Sequence, residues 1–232
     1  MYPEYLHNND TQEICRRVQA LAANDEPALR AYCREVSRQT DTSSLVAKEG
    51  CISKARGITA VFEKTAEIFK GFSQSVTVGG GIFDTQNAKA DFGTVCQAIT
   101  KIEQIRQELL SLIAELTQAR QALFAAVANT NRALHFLKTA KCAVPSELFA
   151  PYNDAIEHTE AAYARLVGTD TAVREVQIFS MMFIERHLPA FMERLRAAAD
   201  FNHAGAALNK ATIRALCTEA LIVINRAQNI IF

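Results

Sequence analysis

The sequence predicts an all-α protein, an elongated antiparallel helical bundle built around one long central helix, and three observations predict it. First, residues 92–141 contain no proline, and their only glycine, Gly93, sits in the first turn. Steps of three and four from Val95 pass Ala98, Ile102, Ile105, Leu109, Leu112 and Leu116, then Ala119, Leu123, Ala126, Thr130, Ala133 and Leu137. Every position except Thr130 is apolar, which is the spacing of one helix face. Second, 49% of the residues are hydrophobic against 9 glycines and 5 prolines, a balance that favours a helix-rich chain with a sizeable core. Third, helical spacing returns on both sides of the central segment, and its long failure is over residues 72–91. A helix of about 45–50 residues would be roughly 70 Å long at a rise of 1.5 Å per residue. Such a rod predicts an extended single domain covering residues 1–232, with no Pro-, Gly- or Ser-rich linker to divide it.

The elements follow in chain order. Short helices are expected over residues 10–39. Asn9-Asp10-Thr11 caps the first and Asn24-Asp25-Glu26-Pro27 breaks it and starts the second. Thr40-Asp41-Thr42-Ser43-Ser44 reads as a polar loop and the cap of a helix over residues 43–71, in which Gly50 and Gly57 mark a close contact or a kink. Residues 72–91 read as a glycine-rich non-helical loop or hairpin, with Gly79-Gly80-Gly81 at its centre. The long helix occupies residues 92–141, with Ile99, Ile113, Val127 and Leu134 widening its apolar stripe. Cys142-Ala143-Val144-Pro145 ends it. C-terminal helices fill residues 146–232: one to Gly168, one capped by Thr169-Asp170-Thr171 and disturbed by Pro189, and a last one from about Ala206 to Ile230.

Charge narrows the function classes. Lysine plus arginine equals aspartate plus glutamate, 25 against 25, and no dense basic run appears. A nucleic-acid binder normally carries a basic face or tail, so this balance argues against nucleic acid. No window holds about 18 consecutive apolar residues, so no spanning helix is expected. The N-terminus shows neither a basic leader nor an apolar core of a secretory signal, and a cytoplasmic location is expected, with export by another route left open.

The residues that could carry chemistry make no site. The six cysteines, at positions 15, 33, 51, 96, 142 and 217, form no C-x-x-C pair. Cys15, Cys33, Cys51 and Cys217 fall on apolar helix faces and read as buried hydrophobes. The alternative is disulfides between helices, and Cys96 and Cys142 are the two expected to meet a thiol reagent. A carboxylate-bridged di-metal bundle needs Glu-x-x-His on two helices. Only Glu4 and His7 fit, with Asp200 and His203 a loose second pair, so no metal and no cofactor are expected. His135, His158 and His187 read as surface or satisfied histidines. The glycines at 79–81 lack the lysine and spacing of a phosphate loop, and no nucleophile elbow or zinc-hydrolase signature is present. Asn129-Thr130-Asn131 interrupts the apolar stripe; Thr130 is read as bonding a carbonyl one turn back, or else as a recognition spot. Met181-Met182-Phe183 reads as core, with an adaptable partner surface as the alternative.

These readings lead to a non-enzymatic helical bundle, coiled-coil-like, that binds a protein partner or assembles with itself. Expected contacts are the apolar tip Val76, Val78, Gly79, Gly80, Gly81, Ile82 and Phe83, and the end Ile230, Ile231 and Phe232. One alternative is a membrane-active protein of pore-forming type that inserts the 76–83 loop. Another is an enzyme or small-ligand carrier with a pocket between helices.

Overall fold

The computed structural model describes residues 19–20, 26–75, 85–198 and 210–228. The chain is an all-α helical bundle with no strand among the described residues. Helix α1 runs Glu26–Ser75, α2 Thr85–Cys142 and α3 Phe149–Met182. A 3-10 turn, Ser146–Leu148, precedes α3, and a π turn, Phe183–His187, leads into α4, Leu188–Ala198. Helix α5 runs Lys210–Gln228.

Three expected breaks are helical instead. Residues 40–44 lie inside α1, so one helix replaces the short helix ending at 39 and the separate helix over 43–71. Their hydroxyls turn back onto the helix: Thr40 Oγ1 donates to Val36 O at 2.8 Å, Thr42 Oγ1 to Arg38 O at 2.9 Å and Ser43 Oγ to Thr40 O at 3.1 Å. The same side chains that cap a helix can bond within one, and here the second option wins. Residues 72–75 complete α1 and residues 85–91 open α2, which narrows the expected loop from both sides; residues 76–84 lie outside the described residues. In α3 the helix passes through Gly168 without a break. Thr169 and Thr171 donate to Arg165 O and Val167 O, and Asp170 accepts from Arg120 instead of capping. Pro189 does disturb its helix, as a widened turn: Leu188 N–H reaches back to Phe183 O, just before the residue that has no N–H to give.

Contacts divide the chain into two compact units, and the dividing positions fall inside α1, α2 and α3. The first unit comprises residues 1–52 and 118–171. Its core joins Cys33 and Val36 of α1 to Ala133, Phe136, Leu137 and Ala140 of α2, and to Val144, Leu148, Tyr152 and Ala155 around the start of α3. The Tyr32 and Phe136 rings meet edge-on at 5.7 Å. Fully burying one leucine or phenylalanine here is worth about 1.5–3 kcal/mol. Pro151 sits in the first turn of α3, where a missing N–H costs no helical bond.

The second unit comprises residues 53–117 and 172–232. Here Val95, Ala98, Ile102, Ile105, Leu109 and Leu116 of α2 are buried at the expected spacing. Lys54–Glu115 at 2.6 Å and Lys64–Glu108 at 2.7 Å bridge α1 to α2 and show the two running antiparallel. Gly57 stands where the two meet, and a Cβ built there would lie 3.6 Å from Leu112 Cδ2, an ordinary van der Waals distance. The Phe62 ring packs edge-on against Phe179 and Phe183, and Phe69 against Phe191 at 4.7 Å. Helix α5 buries Ile213, Leu216, Cys217, Ala220 and Ile224, and its Glu219 takes two hydrogen bonds from Arg194 of α4.

Candidate functional site

The candidate binding site is a groove of about 740 Å³ in the second unit, between the end of α1 and the first half of α2. Its floor is apolar: Phe72, Ala98 and Ile105 are buried and Ile68 is half-buried. Two small residues keep it open. Ala98 is the small member of the stripe beside Ile102 and Ile105, and a Cβ added to Gly71 would meet nothing within 4 Å. The rims carry both charge signs, from Lys64 and Glu67 on α1 and Lys101 and Glu108 on α2, with Gln97 and Gln104 between. The Lys64–Glu108 bridge fixes the rims together. Residues 94–108 of α2 line it, roughly 21 Å at 1.5 Å per residue. An apolar floor of that length between polar rims matches one face of an amphipathic helix about four turns long.

The first unit buries several polar groups. Thr130 is fully buried, and its hydroxyl lies 3.4 Å from that of Ser44. The polar step in the α2 stripe is therefore matched across the helix pair by the hydroxyl-rich stretch of α1. Arg120 Nε and Nη2 both donate to Asp170 Oδ1, at 3.1 and 2.9 Å, and the guanidinium also stacks on the Phe124 ring at 5.0 Å. Cys33 and Tyr152 are neighbours in the core, where Tyr152 Oη is buried without a well-formed hydrogen bond. Burial pushes the Cys33 thiol up to about 11, partly offset by the contact with the Tyr152 hydroxyl, and burial likewise raises the tyrosine. Burial alone pushes Cys217 up to about 11. On the surface, hydrogen bonds from Arg38 and Gln39 hold Glu35 down at about 2. Thiols this strongly protonated are inert packing groups, not nucleophiles.

The residues expected to make contacts, Val76, Val78, Gly79, Gly80, Gly81, Ile82, Phe83, Ile230, Ile231 and Phe232, lie outside the described residues, as do Glu4, His7, Asp200, His203 and Cys15. Cys33, Cys51 and Cys217 are buried and free, and Cys96 and Cys142 are exposed. His135, His158 and His187 are exposed. Among the described residues no group of three His, Cys, Asp or Glu side chains could hold a metal ion, and no helix is long and apolar enough to cross a membrane. Of Met181-Met182-Phe183, only Phe183 is core, whereas Met182 is 43% exposed. The groove was not read from the sequence. Its one visible signal was the pairing of Gly71 with Phe72 at a helix end, a place where a bulky apolar residue sits beside missing volume. No protein family, curated protein or solved structure matches the chain.

Proposed function

We propose that the chain is a non-enzymatic interaction protein whose second unit seats an amphipathic helix of a protein partner in the groove between α1 and α2. The observation that carries this reading is the open apolar floor of Ile68, Phe72, Ala98 and Ile105 between charged rims. A partner helix would place apolar side chains at i, i+3, i+4 and i+7 on that floor, and the charged rims would set its direction. Gly71→Trp tests it, because the new ring enters the groove from a helical position with open space around its Cβ. Affinity capture from the producing cells, compared between parent and variant, should lose its specific partner in the variant. An identical captured set, with the variant folded, refutes the groove. The volume also falls within the range of small-ligand sites. An amphipathic small molecule is the second reading, and mass spectrometry of an organic extract of the purified protein separates it from the first.

A further inference from the structure

The outward side of α3 in the second unit carries an arrangement that the groove does not explain. Val173, Val176 and Ser180 are buried and define the inner face of this segment. Opposite them lie Ile178, 49% exposed, and Met182, 43% exposed, one turn apart. Arg174 and Glu175 precede this pair by about a turn, Glu185 and Arg186 follow it by about a turn, and all four are exposed. Read along the helix, the order is charge pair, apolar, apolar, charge pair, with the signs inverted between the ends. A two-fold axis perpendicular to the helix near residue 180 carries this pattern onto itself.

We propose that this face binds a second copy of the chain, α3 against α3, antiparallel and isologous. In that pairing Ile178 meets Met182 of the other copy, and Met182 meets its Ile178. A perpendicular two-fold keeps each flank on its own side, so Arg174 comes level with the other copy's Glu185 on one flank. The π turn brings Arg186 nearly into line with Met182, where it comes level with the other copy's Glu175. Each pair occurs twice, giving four opposite-sign contacts around an apolar centre. A parallel pairing would instead set Arg174 against Arg174 and Glu185 against Glu185. The face is short beside a standard interface of about 800 Å² per partner, so the dimer is weak and concentration-dependent. It uses α3 and the π turn, not the α1–α2 groove, and stands whether or not a partner helix binds there.

Sedimentation equilibrium of the full chain over a concentration series tests the proposal. The parent should show a reversible monomer–dimer equilibrium that weakens with added salt. Ile178→Glu should remove it, with the helical signal unchanged because that side chain is outside the core. Arg174→Glu, which sets Glu against Glu185, should weaken dimerisation by roughly tenfold or more. Arg174→Glu/Glu185→Arg should restore it, since opposite signs again face each other. A parent that stays monomeric throughout, a dimer indifferent to Ile178→Glu, or a double reversal no better than the single one would overturn the antiparallel pairing. Gly71→Trp should leave the equilibrium unchanged, which keeps this test separate from that of the groove.

Discussion

Removing the carboxylate of Asp170 should destabilise the first unit by about 2 kcal/mol. The estimate follows from where the pair sits. Arg120 and Asp170 side chains are 16% and 23% exposed, whereas the other ion pairs among the described residues have partners at 35% exposure or more. Breaking a fully buried pair costs about 3–5 kcal/mol, and an exposed pair is worth about 0.2–1 kcal/mol. A pair with this residual exposure falls between those limits. In Asp170→Ala the Arg120 Nε and Nη2 groups lose a common acceptor while the guanidinium stays stacked on Phe124. Asp170→Asn keeps an acceptor oxygen but drops the charge, and should cost about half as much. Arg120→Met/Asp170→Leu removes both charges and should recover part of the loss, with a coupling of about 1–2 kcal/mol in the double-mutant cycle. Urea unfolding followed by circular dichroism reads these as midpoint shifts at constant slope. Asp170→Ala within about 0.5 kcal/mol of the parent would show that the pair behaves as a surface contact and would refute the reasoning.

Two further predictions concern residues on which the helices depend. Gly50→Ala and Gly168→Ala should each stabilise by up to about 1 kcal/mol, because both glycines are helical and a Cβ at either meets nothing within 4 Å. Unfolding midpoints that fall would show that these glycines are needed where they stand. Stability should also decline in alkali through Cys33 and Cys217. The unfolded thiols ionise from their ordinary value of 9.0, while the folded ones hold their protons to about 11. Between those values the unfolded state has lost protons that the folded state keeps, so stability falls as pH rises, by about 1.4 kcal/mol per pH unit and thiol. Below pH 9 neither thiol contributes. Under reducing conditions Cys33→Ala/Cys217→Ala should show a shallower alkaline decline than the parent, and parallel curves would contradict the assignment.

The α2 stripe was legible because leucine and isoleucine at steps of three and four have few other uses. Its members from Val95 to Leu137 are buried, with Leu112 and Ala119 only partly so. What misled was the chemistry of short polar side chains. Thr40 to Ser44 and Thr169 to Thr171 carry the residues that cap helices, and nothing local decides whether a hydroxyl bonds forward to a free N–H or back to a carbonyl. The decision came from the other helices: Thr40 and Ser44 are buried, Ser44 meets Thr130, and Asp170 meets Arg120. Gly168 gave the same false stop, because a glycine ends a helix only where its backbone turns left-handed, and here it does not. The groove was invisible for another reason. It is space left between Gly71 and Ala98, which stand on different helices and are 27 positions apart in the chain. The outward face of α3 was hidden by reading Met181-Met182-Phe183 as one cluster, when helix geometry turns Met182 outward and Phe183 in.

The groove reading is tested most directly by placing a photo-crosslinking amino acid at Gln97, on its rim, and irradiating the protein with its cellular partners present. A covalent adduct should form from Gln97 and disappear when Gly71→Trp is added. The same probe at Glu63, an exposed α1 residue that does not line the groove, should form none. Adducts from Glu63 but not from Gln97, or a Gln97 adduct untouched by Gly71→Trp, would place the partner elsewhere and contradict the account.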